Sequence, residues 1–269
     1  MDYKILREHT KEAYIEAVNR NWNSLMTRFR NYPHYEFQDS PELSTMVCTV
    51  KIPMFNRVTN TSLTTENIEQ KVDVTIQYFK TRNVPFTWQV NPWDKPTNLP
   101  RVLEKAGLEP SFIPGMVLKL SDLRLPRRPE GFSYKIVGTP KEKEDYAWLM
   151  AKAYGIPENV HQTFVDMFNT IELNDSYQHY IGCLNDEPVS TTSILYDCGV
   201  AGIYNVATLP EARGKKMGSM ITATPLLDAK KRGYEISILH STKMGYNVYK
   251  RLGYEEVCKM NRWEWHPDT

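Results

Sequence analysis

Two widely separated stretches of this chain carry the same local punctuation. Phe79–Val90, FKTRNVPFTWQV, can be set over Ala229–His240, AKKRGYEISILH. In each, a helix-forming run ends at Arg, one Asn or Gly reverses the chain, and a strand-forming run follows. Further on, Arg101–Glu109, RVLEKAGLE, sets over Asn247–Glu255, NVYKRLGYE. An internal repeat constrains architecture before any single motif does, so the two halves are expected to share a fold.

A joint between the halves is expected at Ser121–Gly131, SDLRLPRRPEG, where two prolines and three arginines interrupt any periodicity. That divides the chain into residues 1–124 and 131–269. In the second half GFSYKIVG reads as a strand and TPKEKEDYAWLMAKAYG as a helix, with Thr139 as its cap, Pro140 at its first position and Gly155 ending it. NVHQTFVDMFNTIEL reads as a second helix. YQHYIGCL and PVSTTSILYD form a hairpin around Asn185-Asp186-Glu187, and GVAGIYNVATL is a further strand. A helix to about Arg232, a strand, a short helix ending at Gly253 and a last strand complete the order β α α β β β α β α β. This is a mixed α/β layer with helices packed on a sheet.

Composition narrows the function classes. The 269 residues carry 33 Lys and Arg against 32 Asp and Glu, a balance that argues against wholesale nucleic-acid binding. No run approaches the roughly 20 apolar residues of a membrane helix. Four scattered cysteines without a C-x-x-C pair, and an N-terminus without an apolar leader, point to a cytoplasmic protein with reduced thiols. The histidines show no ligand spacing, so no metal is expected.

Residues 204–219, YNVATLPEARGKKMGS, run from a strand through a Pro-containing turn into a basic corner and then a helix. Cations at a helix start oppose the dipole unless an anion binds there. Glycines at Gly214 and Gly218 let the backbone approach a ligand, and the first helical N–H groups point outward without partners. Such a corner suits phosphate, with Arg213, Lys215 and Lys216 as side-chain cations.

The stretch VATLPEARGKKMG resembles the acyl-CoA-binding corner of the GNAT superfamily of N-acetyltransferases, V-x-P-x-x-R-G-x-G-x-G, and LHSTKMGYNVYKRLGY resembles that family's second motif. The resemblance covers roughly Gly202–Glu256. It implies a mixed, mostly antiparallel central sheet flanked by helices, in tandem GNAT-like domains. The strand before the corner is then expected to carry a bulge and splay from its neighbour. Val206, Ala207 and Thr208 fall to the pantetheine arm, and Arg213, Gly214, Lys215, Lys216, Met217, Gly218 and Ser219 face the pyrophosphate. Lys216 stands where the family has its middle glycine. Pro225 lies inside the helix that follows and is expected to kink it.

The implied reaction transfers an acetyl group from acetyl-CoA to a primary amine of a small molecule, with Tyr249 protonating the departing thiolate. A phenol near ~10 and a thiol of similar acidity are matched for that transfer. No base is assigned: the strand GVAGIYNVA has no carboxylate, and Tyr204, Asn205 and His240 lie near the expected cleft. A protein lysine or N-terminus is the rival acceptor, and a non-catalytic acyl-CoA-binding regulator is the alternative class. The chain is expected as a monomer or homodimer. In the first half, Leu63–Ile68, LTTENI, stands opposite the corner and has neither Gly nor cation, while Leu103 stands opposite Tyr249. The first half therefore reads as a degenerate copy without a cofactor site. Thr65-Glu66 reads there as an ordinary helix start, and Trp88, Trp93 and Tyr78 are either core or walls of an amine pocket.

Overall fold

A computed structural model describes residues 5–267. Along the first half run α1 (Lys11–Thr27), β1 (Tyr35–Asp39), β2 (Ser44–Cys48), β3 (Arg57–Thr59), α2 (Ile68–Lys80), β4 (Phe86–Val90), α3 (Leu99–Lys105) and β5 (Glu109–Lys119). The second half holds β6 (Phe132–Ile136), α4 (Pro140–Tyr154), α5 (Glu158–Asn169), β7 (Tyr177–Leu184), β8 (Glu187–Asp197) and β9 (Val200–Thr208). It ends with α6 (Met217–Lys231), β10 (Ile236–His240), α7 (Tyr246–Leu252) and β11 (Glu255–Trp265). The sequence order of the second half is reproduced, and the succession α2–β4–α3–β5 recurs as α6–β10–α7–β11.

Contacts divide the chain into two compact units. One comprises residues 1–29 and 114–258, the other residues 30–113 and 259–269. The division does not fall at the Ser121–Gly131 joint, which lies inside the first unit. The reason is strand pairing. Gly115–Lys119 of β5 pairs antiparallel with His240–Ile236 of β10. Conversely, Asn261–Trp265 of β11 pairs antiparallel with Val90–Phe86 of β4. Each half thus gives its last strand to the sheet built from the other half's sequence.

In the first unit the strand order is β5-β10-β9-β8-β7-β6, antiparallel except for the β9–β10 pair. Strand alternation sorts the two faces. Tyr180, Ile194, Ile203 and Leu239 pack with Ile221, Ala223 and Leu226 of α6 and with Tyr249 and Leu252 of α7 in one apolar cluster. On the opposite face Ser193 and Tyr204 meet Tyr146 of α4 and Asn21 of α1. Thr139 caps α4 in a reciprocal capping box with Glu142, and Gly155 ends it in the left-handed region at φ 68°. The hairpin turn is tighter than expected, with Asn185 and Asp186 both at positive φ, so β8 already begins at Glu187. Helix α5 stops at Asn169, before the expected Leu173. Helix α6 runs on through Pro225, and the Thr222 and Thr224 hydroxyls donate to the carbonyls of Gly218 and Met220 around it.

The second unit has strand order β1-β2-β3-β4-β11, with only β3–β4 parallel. Its core gathers Val72 and Phe79 of α2, Phe86 and Trp88 of β4, and Leu99 and Leu103 of α3, all fully buried. Each such side chain contributes about 1.5–3 kcal/mol on removal from water. Phe79 stacks on Phe86 at 4.2 Å, and the Trp88 indole donates to Thr61 Oγ1 at 3.0 Å, so Trp88 is core. Trp93 is exposed, and the Tyr78 hydroxyl donates to Glu36 at 2.7 Å. The start expected at Thr65-Glu66 is displaced: Asn67 Oδ1 accepts the Thr64 N–H, making a turn, and α2 begins at Ile68.

Candidate active site

The site grows from one irregular strand. Between β8 and β9, Thr191 faces Ala207 and Ser193 faces Tyr204, so Thr192 alone opposes both Asn205 and Val206. This is a β-bulge, and its first residue, Asn205, sits at φ 53°. Asn tolerates the left-handed region better than most side chains. The Thr191 hydroxyl donates to the Asn205 carbonyl at 2.8 Å and the Thr192 hydroxyl to the Tyr204 carbonyl at 3.4 Å, pinning the bulged backbone from β8. On the other edge β9 pairs with β10 only over Ala201–Ile203. From Tyr204 to Thr208 that edge has no strand partner among the described residues. The sequence-expected bulge and splay are both present here.

Past the splay the chain turns through Arg213 to Lys216. Gly214 lies at φ 77° and Lys216 at φ 63°. The family position of Lys216 is thus one that demands a left-handed backbone, which accounts for glycine being the family residue and makes Lys216 a strained exception. Helix α6 starts at Met217 without a side-chain cap, and its first ladder bond is Met220 N–H to the Lys216 carbonyl. The amides of Gly214 through Ser219 make no hydrogen bond of standard length and angle to a described residue. Arg213 behaves differently from Lys215 and Lys216. Its guanidinium donates to the carbonyls of Thr208 at 3.1 Å and Ala153 at 3.0 Å, tying the corner to the end of α4. The two lysines are exposed.

Tyr249 lies in the first turn of α7, 8% exposed. Gly245 lets it settle there: a Cβ on Gly245 would stand 2.7 Å from the Tyr249 ring. Burial pushes the Tyr249 phenol well above its ordinary range, so it holds its proton at neutral pH. Its hydroxyl makes no hydrogen bond to a described residue. Tyr154, at the end of α4, donates to the Val206 carbonyl at 3.3 Å. Desolvation raises its phenol too, although the residue is half exposed, with Tyr249 and Tyr177 close enough to contribute.

Beneath the bulge lies a polar cluster of which the sequence singled out Asn205 alone. Ser193 Oγ is 2.6 Å from the Tyr146 hydroxyl, 2.8 Å from His179 Nδ1 and 3.1 Å from Asn205 Nδ2. Asn205 Nδ2 also donates to the Tyr177 hydroxyl at 3.4 Å. The His179 ring stacks on Tyr146 at 4.1 Å and 2°. Burial, with Lys143 nearby, pushes its pKa down to about 3, so it is neutral, and its Nε2 is buried without a hydrogen-bond partner. The remaining sequence candidates are on the α1 side. The Tyr204 hydroxyl donates to Asn21 Oδ1 at 2.6 Å, and the Trp22 ring lies 5.8 Å from Tyr204 and 4.9 Å from His240. Asn21 and Trp22, on α1, were not singled out by the sequence reading. Among the described residues no group of three or more His, Cys, Asp or Glu side chains could hold a metal ion. No helix there is long and apolar enough to cross a membrane.

Helices flanking a mostly antiparallel sheet, opened at its one parallel pair beside a bulge and an uncapped helix, define the class of this unit. Residues 138–257 match the acetyltransferase (GNAT) domain, and this part of the chain belongs to the GNAT family. Solved structures with the same fold extend over nearly the whole chain. A GCN5-related N-acetyltransferase from Kribbella flavida is 18% identical, covers 94% of this chain and 96% of its own, and superposes with TM-score 0.67. Another from Sphaerobacter thermophilus is 16% identical over 86% of this chain and 83% of its own, TM-score 0.62. A tandem GNAT protein from the clavulanic acid biosynthesis pathway is 14% identical over 88% and 85%, TM-score 0.61. No curated protein matches the chain in sequence.

Proposed function

We propose that the chain is an acetyl-CoA-dependent N-acetyltransferase acting on the primary amine of a small molecule. The observation that carries this reading is the unpartnered β9 edge leading directly into the Gly214–Ser219 corner, whose amides make no hydrogen bond of standard geometry. An open strand edge is ordinarily a liability, and an extended amide-containing arm is its natural occupant. Val206, Ala207 and Thr208 pair with pantetheine. The amides of Gly214, Met217, Gly218 and Ser219 take the pyrophosphate, with Lys215 and Lys216 adding charge. Arg213 holds the corner in shape through its two carbonyl contacts.

The amine attacks the thioester carbonyl carbon, and the C–S bond breaks as the tetrahedral intermediate collapses. Tyr249 gives its proton to the departing thiolate and regains one from solvent. Its free hydroxyl and its neutral state at physiological pH support that role. The first half, whose α2–β4–α3–β5 succession repeats the cofactor-binding half, is a GNAT-like copy without the site. Leu103 is buried core where the other copy has Tyr249.

Calorimetric titration with acetyl-CoA, followed by thiol release over a panel of amines, tests the reading. Saturable binding with turnover on a small amine is expected. Binding without turnover on any amine or peptide would identify a regulator instead, and turnover on peptides alone a protein acetyltransferase. Tyr249→Phe should lower kcat by roughly 100-fold while the acetyl-CoA Kd stays within about twofold; an unchanged kcat would remove Tyr249 from the mechanism.

A further inference from the structure

The reaction needs something to orient the attacking nitrogen, and the strand beside the splay offers no carboxylate. Asn205 is the polar side chain at the bulge itself, half-buried where β9 leaves β10. Both of its amide protons are committed: Nδ2 donates to Ser193 Oγ at 3.1 Å and to the Tyr177 hydroxyl at 3.4 Å. The cluster behind it fixes that orientation. Ser193 has one proton and two lone pairs. It accepts from Asn205 and from Tyr146 at 2.6 Å, and donates to Nδ1 of the neutral His179 at 2.8 Å. With His179 carrying its proton on Nε2, every bond of Ser193 is used once and the Asn205 amide stands with its nitrogen toward Ser193 and Tyr177. What remains is Oδ1, which takes no hydrogen bond from any described residue and is not sealed among the buried unpartnered atoms.

We propose that Asn205 Oδ1 accepts a hydrogen bond from the attacking amine and aims its lone pair at the thioester carbon. This rests on the acetyl-transfer reading above and adds to it a catalytic residue. The acceptor sheds one proton to solvent to become a neutral amine before attack. The N–C bond then forms and the C–S bond breaks. The second nitrogen proton leaves to water after attack, and the thiolate takes its proton from Tyr249. Asn205 keeps its protonation state throughout. A group that orients without taking a proton fits a site whose nearest histidine in this cluster, His179, is held neutral.

The test separates orientation from scaffolding. Asn205→Gly keeps a residue suited to φ 53° and so preserves the bulge. It should lower kcat at least 10-fold on the best amine of the panel, or on water where acetyl-CoA hydrolysis is the only turnover, with the acetyl-CoA Kd within twofold. Asn205→Asp restores an acceptor oxygen but loses the Nδ2 donor to Ser193 and Tyr177, so it should recover part of that loss. Should Asn205→Gly fail to fold, Ser193→Ala serves in its place. It unlocks the amide and should lower kcat with the Kd unchanged. Overturning results are a kcat within twofold of the parent chain, a Kd that rises in step with the loss of kcat, or no recovery in the Asp variant. If the unaltered chain neither binds nor turns over acetyl-CoA, the acetyl-transfer reading itself fails.

Discussion

Lys216 offers a prediction with two readouts that move in opposite directions. Its backbone lies at φ 63° and ψ 10° at the start of α6. Holding an L-residue there costs about 1–2 kcal/mol. Lys216→Gly removes that cost, while the added freedom of the unfolded chain takes back about 0.4–1 kcal/mol. The net expectation is a gain of about 0.5–1 kcal/mol, or roughly 1–4 °C in Tm for a chain of this size. The same change deletes one exposed cation beside the corner. An exposed ion pair contributes about 0.2–1 kcal/mol, so the acetyl-CoA Kd should rise roughly 1.5- to 5-fold. That weakening should shrink at high salt. Urea denaturation and calorimetric titration measure the two quantities. Lys216→Asn is the control: Asn accepts the left-handed backbone, so affinity should fall as for Gly with a smaller change in stability. A Lys216→Gly chain that is less stable, or that binds acetyl-CoA as tightly as before, would refute the assignment of strain and charge to this residue.

His179 predicts a pH dependence. Its folded pKa, about 3, lies below the ordinary 6.5, so the unfolded chain takes up the proton first. Its contribution is complete above about pH 6.5 and is lost as pH falls, amounting to about 2 kcal/mol between neutrality and pH 5. Urea titrations at both pH values should show this extra loss in the parent chain and not in His179→Gln; parallel losses would contradict it. Residues 131–269 expressed alone lack α1 and the β5 partner of β10, so they should show no cooperative thermal transition. A sharp transition from that fragment would mean that the borrowed strand is dispensable.

Much of the second half was legible because its signals are local. A capping Thr139 and a reversing Gly155 act over a few residues, and each emerged where the sequence placed it. The splay was readable through the resemblance carried by residues 202–256. What escaped was set by distance along the chain. Tyr14, Val18, Trp22 and Leu25 mark a helix face plainly, yet nothing local says that Asn21 will meet Tyr204. His179 was set aside for lacking ligand spacing; its partners, Tyr146 and Ser193, come from two other elements and only the sheet register assembles them. The joint at Ser121–Gly131 has the composition of a linker. Leu120 beside it is nevertheless buried, because β5 has already entered the sheet of the second half.

That reciprocal loan of strands sets an order of completion during synthesis. Every residue of the unit that carries the bulge precedes Lys259, so its set of strands is made before that of the other unit is complete. The other unit begins near Arg30 and must wait for Asn261–Trp265, holding the free edge of Phe86–Val90 open until they are made. The earlier-made sequence is therefore the later to finish, and its exposed edge is where a nascent chain of this protein would most need protection from neighbouring strands.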